Sequence, residues 1–254
     1  MAFPFLWMVS TSLKTGSNVF TFPPEWIPEP VVWENYLSVW REVPFGLYFL
    51  NTFKVTIIVT LGRLLISSMA AYAFARLRFP GREPLFLLYL ATMMVPYHVT
   101  LIPNFILMRE LYWIDTHWAL IVPNLFSAFG TFLLRQFFMG IPRELEEAAR
   151  IDGAGFFAIY WRIVLPLSVP ALTALGIFTF VATWNDFMGP LVYLNSQEKF
   201  TLTLGLAGFQ GMYETDWPLL IAASVLTLLP IILLFLSIQR RFIEGVTIQG
   251  SIKG

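Results

Sequence analysis

The sequence predicts an all-α integral membrane protein. Three observations lead there. Of its 254 residues, 57% are hydrophobic and 13% are charged, about half the charged share of an ordinary soluble domain. A water-soluble fold so poor in charge could not cover its surface, and the mean hydropathy of +0.69 agrees. Four stretches free of Asp, Glu, Lys and Arg, 84–108, 116–134, 163–185 and 217–239, each match the length of one bilayer crossing. A β-barrel would instead need alternating segments of about ten residues, and the sequence shows none.

The elements follow in chain order. The start, MAFPFLWMVSTS, has an apolar run with no basic residue before it, so it does not read as a signal peptide. The run 2–9 is too short to span. It is read as the outer end of a first membrane helix whose beginning is missing, the alternative being an interfacial anchor. Pro23, Pro24, Pro28 and Pro30 then stiffen an extended segment, and Trp33, Tyr36, Leu37 and Trp40 follow at helical spacing. This part is expected to anchor at the interface, with contact to an external protein as the other reading.

A fifth stretch, 45–75, is apolar but contains Lys54 and Arg63. Lys54 lies near an end and can snorkel. Arg63 lies nearer the middle, where lipid exposure would cost roughly 2.5–3.5 kcal/mol. It is expected to pair within the bundle or with a partner chain. Pro96, Pro103, Pro170 and Pro230 fall inside the predicted crossings and predict kinks. Trp113, Trp118 and Trp217 lie near predicted outer boundaries, where indoles favour the interface. Glu110 and Asp115 flank a turn read as a solvated loop.

Lys and Arg orient the chain. Arg76, Arg78, Arg82, Arg135, Arg143, Arg150, Arg162, Arg240, Arg241 and Lys253 fall on one side when loops are alternated. Lys14, Arg41, Lys54, Arg109 and Lys199 fall on the other. The richer side is expected to be cytoplasmic, with the C-terminus there and the first 44 residues outside.

The loop 140–166 is then cytoplasmic and unusually charged. Pro142, Glu144, Glu146 and Glu147 suit a helix N-terminus. Leu145, Ala148 and Ala149 are spaced to share one face. Asp152, Gly153, Ala154 and Gly155 predict a break, glycine being free to take φ > 0. Phe156 onward resumes an apolar pattern toward Pro166. The segment is either a solvated connector or a docking element for a cytoplasmic partner.

Glu147, Ala148 and Ala149, then Asp152, Gly153 and Ala154, then Ile163, Leu165 and Pro166, resemble the EAA motif of ABC importer permeases. The stretches AYAFARLRFPGR, MVPYHVTLIPNFILM and TWNDFMGPLVYL, and the tail FIEGVTIQGSIKG, are similar to the maltose-permease type of carbohydrate importer. The likeness runs from about Phe3 onward and is to the second, six-span permease subunit. It departs at the N-terminus, where the first span is cut short.

The resemblance implies a type I ABC importer transmembrane fold of about six helices. It implies a truncated first helix and external loop over 1–44, a transmembrane domain over 45–241 and a cytoplasmic tail over 242–254. The motif residues would form the coupling helix that seats in a cleft of the ATPase, with Glu147 pairing there and Gly153 setting the turn. Implied partners are a second homologous permease, an ABC ATPase dimer, an extracytoplasmic solute-binding protein, a sugar and the lipid bilayer. Implied localisation is a prokaryotic cell membrane.

Other chemistry is sparse. Net charge is zero and gives no case for nucleic acid. There is no Cys, and His98 and His117 are isolated, so no metal site is expected. No nucleophile–base constellation is visible, and a G-x-x-x-x-G-K-[ST] phosphate loop is missing. ATP and Mg²⁺ are therefore expected on a separate ATPase. Trp184, Asn185 and Asp186 sit toward the outer half of their crossing. They are read either as a solute pathway, by stacking and hydrogen bonding to a sugar, or as a structural network. Glycerol phosphate is a second solute class. A proton-coupled secondary transporter is the reading from another class, disfavoured because no internal repeat is seen and Asp186 is its sole candidate acid.

Overall fold

The computed structural model describes residues 3–210 and 215–251, the side chains of 238–251 excepted. In chain order its helices are α1 (Phe3–Ser12), α2 (Glu34–Glu42), α3 (Phe45–Arg76), α4 (Arg82–Ala91), α5 (Tyr97–Glu110), α6 (Trp118–Ile121) and α7 (Ala128–Met139). There follow α8 (Glu144–Ile151), α9 (Phe156–Ile159), α10 (Leu165–Leu167), α11 (Val169–Trp184), α12 (Met188–Tyr193), α13 (Leu202–Ala207) and α14 (Trp217–Ser251). Among the described residues no strand forms, and Gln210 and Thr215 make an isolated antiparallel bridge. The side chains of Arg240, Arg241 and Lys253, and the end of the expected tail, lie outside the described residues.

Three stretches are long and apolar enough to cross a membrane as they stand: Phe45–Arg76, Trp118–Met139 and Trp217–Ser237. Two more qualify as bent pairs, Arg82–Met94 with Tyr97–Glu110 and Phe156–Leu167 with Val169–Trp184. These five coincide with the five apolar stretches of the sequence. Exposed apolar side chains run along them, among them Leu87, Leu88, Ile102 and Phe235, as solvation by lipid allows.

The first bend, 98°, departs from the single crossing expected over 84–108. Pro96 has no N–H, and a residue before proline avoids the α region. Val95 is accordingly extended, at φ −84° and ψ 114°. The second bend, 76°, falls at Ser168 between Pro166 and Pro170. Pro103 and Pro230 remain inside continuous helices.

The chain divides into two compact units. One comprises residues 1–54, 115–117 and 184–235. In it α1 is tied to α2: the hydroxyls of Ser12 and Tyr36 lie 2.7 Å apart, and Asn35 Nδ2 donates to the carbonyls of Ser12 and Lys14. Gly205 lies against the Tyr48 ring so closely that any Cβ would overlap it.

The other unit comprises residues 55–114, 118–183 and 236–254. Its core gathers Ala71, Tyr72 and Ala75 of α3, Leu134 and Phe138 of α7, Ile159, Tyr160 and Val164, and Ala171 and Leu175 of α11. Lipid tails are as apolar as these side chains, so close packing and polar ties hold such helices together. Arg63 makes one such tie. Its Nε donates to the Asn124 carbonyl at 2.7 Å, and Nη2 to Asn124 Oδ1 at 3.2 Å. Asn124 sits in the 3₁₀ turn Pro123–Leu125 between α6 and α7. The expected pairing of Arg63 is thus to an irregular stretch of backbone.

Candidate functional site

The charged loop folds as a capped helix. Three glutamates, Glu144, Glu146 and Glu147, occupy the first turn of α8, where the helix dipole favours acids. At its other end Gly153 takes φ +83°. The Ala154 N–H donates to the Ala149 carbonyl at 2.8 Å and the Gly153 N–H to the Arg150 carbonyl at 3.0 Å. That pair of bonds is a Schellman cap. Ala149 and Ala154 close its apolar contact, both packing on the core of the second unit. The spacing from Ala149 to Gly153 and Ala154 is therefore the spacing of a helix stop.

The expected apolar face is divided. Ala149 turns inward, whereas Leu145 and Ala148 face out with Glu147, Asp152 and Ile151, the last 87% exposed. The residue that turns inward at the N-terminal end is Glu146. Its Oε1 lies 2.8 Å from Arg76 Nε, with the two side chains only 6% and 3% exposed. The Nε–H is not aligned on that oxygen, so the contact is one of charge rather than a directed hydrogen bond. Arg76 Nη2 meanwhile donates to the carbonyls of Phe138 and Ile141 at the end of α7. Sequence reasoning missed this pair. Glu147 lies in a cleft with Arg76, Arg78, Arg143 and Arg150, and Arg150 sits 5.2 Å over the Phe156 ring.

Beyond the cap, α9 runs into a π-helical turn, Tyr160–Val164, and then α10. The widened turn sits directly before Pro166, which has no N–H to return and whose ring crowds the preceding turn of an α-helix. Ile163 and Leu165 pack on the core, and Pro166 is exposed. The motif residues thus form one continuous module whose inner side is core and whose outer side is free.

Residues 63–247 match the family described as binding-protein-dependent transport system inner membrane component. The chain belongs to this family. The arabinooligosaccharides transport system permease protein AraQ of Halalkalibacterium halodurans is 39% identical over 230 residues, covering 89% of this chain and 81% of AraQ. The sn-glycerol-3-phosphate transport system permease protein UgpE of Yersinia pestis is 38% identical over 248 residues, 93% of this chain and 87% of UgpE. A solved bacterial ABC transporter involved in the import of the acidic polysaccharide alginate matches with TM-score 0.85 at 25% identity, over 95% of this chain and 90% of that one. The chain is an ABC importer permease subunit with the type I fold, an inner-membrane component.

In this permease the three residues singled out for the solute pathway have different surroundings. The Trp184 side chain is fully buried, and its Nε1–H donates to the Thr227 carbonyl at 3.1 Å. Asp186 Oδ1 accepts from the Gly189 N–H in the first turn of α12 at 3.2 Å, and the Asp186 carbonyl accepts from the Thr203 hydroxyl at 2.6 Å. Asn185 is exposed. Trp184 and Asp186 thus each make polar contacts within their unit.

Asp115 is not the solvated loop residue that was expected. It accepts from the N–H groups of Asn195 and Ser196, from the Ser196 hydroxyl and from the Lys199 ammonium. These bonds hold its carboxyl well below the usual carboxylate range, the Ser196 hydroxyl contributing most. His117 Nε2–H donates to the Lys199 carbonyl at 2.9 Å. Burial holds the His117 imidazole below its ordinary value, and the cations Lys54 and Lys199 act in the same direction. Among the described residues no group of three metal-ligating side chains converges.

Proposed function

We propose that this permease moves a carbohydrate and that an ATPase subunit drives it through α8. The observation that carries the coupling reading is the capped helix, which shows Glu147, Ala148 and Ile151 outward while Glu146 and Ala149 are held from behind. A low-profile alanine beside an exposed isoleucine suits a groove on a partner. Glu147 pairs with a basic group of the ATPase. Asp152, Gly153 and Ala154 fix the helix end, and Ile163, Leu165 and Pro166 join it to the following span.

ATP and Mg²⁺ bind to the ATPase, and this chain supplies positioning rather than a catalytic residue. A second homologous permease completes the pore, and an extracytoplasmic binding protein delivers the solute. The arginine-rich side, with α8 and the C-terminus, faces the cytoplasm. Asn185 is the pathway residue assigned to meet the solute, with Trp184 and Asp186 holding it in place.

The substrate class is supported by the likeness to the arabinooligosaccharide permease and the alginate importer. Glycerol phosphate is the second reading, favoured by the comparable likeness to UgpE. The test is uptake by proteoliposomes holding this chain with its ATPase, second permease and binding protein. ATP-dependent uptake of labelled arabino-oligosaccharide is expected. Uptake of glycerol 3-phosphate instead would overturn the carbohydrate reading. Uptake without ATP that collapses with a protonophore would overturn the ATPase reading in favour of a proton-coupled carrier.

A further inference from the structure

We infer that Arg76 is the positioning residue that makes α8 move with the membrane helices, by locking it to the cytoplasmic ends of α3 and α7 together. The inference rests on the coupling reading of α8 and names the contact through which motion leaves that helix.

Arg76 is the last residue of α3. Its guanidinium touches two other elements at once: Glu146 in the first turn of α8, and the Phe138 and Ile141 carbonyls at the end of α7. Phe138 and Ile141 themselves belong to the buried apolar cluster of this unit. Separating two charges in so dry a place is costly, because neither finds water to replace its partner. Cations also suit the carbonyl end of a helix, so the contact with α7 is favourable on its own.

The apolar contacts of α8 are weak by comparison. Ala149 and Ala154 are its inward apolar groups, and small side chains give a surface that can slide. The ion pair supplies the register that alanines cannot. No other arginine in the neighbourhood does this. Arg135 spends its charge on Glu83 and the Phe86 ring. Arg78 and Arg143 make no ion pair among the described residues, and Arg150 lies over Phe156. Arg76 also offers a planar fork of donors, which a lysine lacks.

The test compares solute transported per ATP hydrolysed in the reconstituted complex. The double variant Arg76→Met with Glu146→Met removes both charges at similar volume, a change that buried pairs often tolerate in stability. We expect the complex to assemble with its ATPase and to hydrolyse ATP, while solute moved per ATP falls roughly tenfold, the size of a typical coupling energy. Arg76→Lys keeps the charge but has one nitrogen where Nε faces Glu146 and Nη2 faces both carbonyls, so its ratio should fall between the two. A purely structural role would lower the yield of complex and both activities together with the ratio unchanged, and that result would overturn the inference. If the double variant does not assemble, Arg76→Lys decides alone, and a wild-type ratio overturns it. If Gly153→Val uncouples while the Arg76 variants do not, this inference fails and the coupling reading stands. If no ATPase co-purifies with the wild-type chain, the coupling reading itself has failed.

Discussion

The hydroxyls of Ser68 and Tyr160 lie 2.7 Å apart, both side chains buried, one on α3 and the other at the start of the π-helical turn. Ser68 spends its proton on the Leu65 carbonyl at 3.0 Å, so Tyr160 is the donor. Tyr160→Phe removes one bond and leaves Ser68 satisfied, costing about 1 kcal/mol. Ser68→Ala strands a buried phenol and costs about 1–3 kcal/mol. Thermal unfolding in detergent should rank Ser68→Ala as the more damaging. The reverse order would mean that the donor has been assigned wrongly.

A Cβ on Gly153 would meet nothing within 4 Å, so space is not what excludes a side chain there. The φ of +83° is. Alanine in that region costs roughly 1–2 kcal/mol, and β-branched residues fare worse, while asparagine visits it readily. Thermal stability and transport should therefore both decline in the order Gly, Asn, Ala, Val at position 153. An Ala variant better than the Asn variant would show that side-chain volume, not backbone, governs the turn.

Gly205 poses the opposite case, since its backbone is unremarkable and its space is filled. Any Cβ there overlaps the ring of Tyr48, itself 2% exposed. Gly205→Ala should destabilise the protein by about 1–3 kcal/mol, as overpacking does. Adding Tyr48→Leu should recover part of the loss. Additive losses in the double variant would contradict the contact.

Asp115 and His117 both hold protons less tightly folded than unfolded. The unfolded chain therefore takes up more protons as the pH falls, and stability falls with it. The contribution of His117 is complete above its ordinary value of 6.5 and is lost as the pH drops through its lower folded value. That of Asp115 persists to more acid conditions still. Protection of the amides of residues 194–200, measured against the intrinsic exchange rate at each pH, should fall below pH 6.5 in two stages. His117→Gln should abolish the first stage, and Asp115→Asn should accelerate exchange already at neutral pH. Protection that does not change from pH 7.5 downward would refute both assignments.

The parts of this molecule that could be read in one dimension are those written in neighbouring residues. Four charge-free stretches, and a fifth broken by Lys54 and Arg63, announced the five candidate spans, and Gly153 announced the end of α8. Pro96 announced a kink, although the window around it gave no sign that the bend would reach 98°. Pairings between distant residues left no such trace. Arg63 plainly needed a partner, but Asn124 was one amide among several. Glu146 was one acid of three. It lies three residues before Ala149, on the same helical face, but only the fold shows that this face turns inward. Trp184 could be read as a sugar platform or as part of a network, and its acceptor, the Thr227 carbonyl, lies 43 residues along the chain, out of reach of any local pattern.

The segment 194–200 is held by groups from elsewhere in its unit. Asn51 Nδ2 donates to the carbonyls of Glu198 and Phe200, His117 to that of Lys199, and Asp115 gathers the N–H groups of Asn195 and Ser196. Its shape thus owes little to the side chains of Asn195, Gln197 and Glu198, which point into the open. Those three positions work as a replaceable faceplate on a fixed mount: their side chains can be changed without any refolding of the frame beneath.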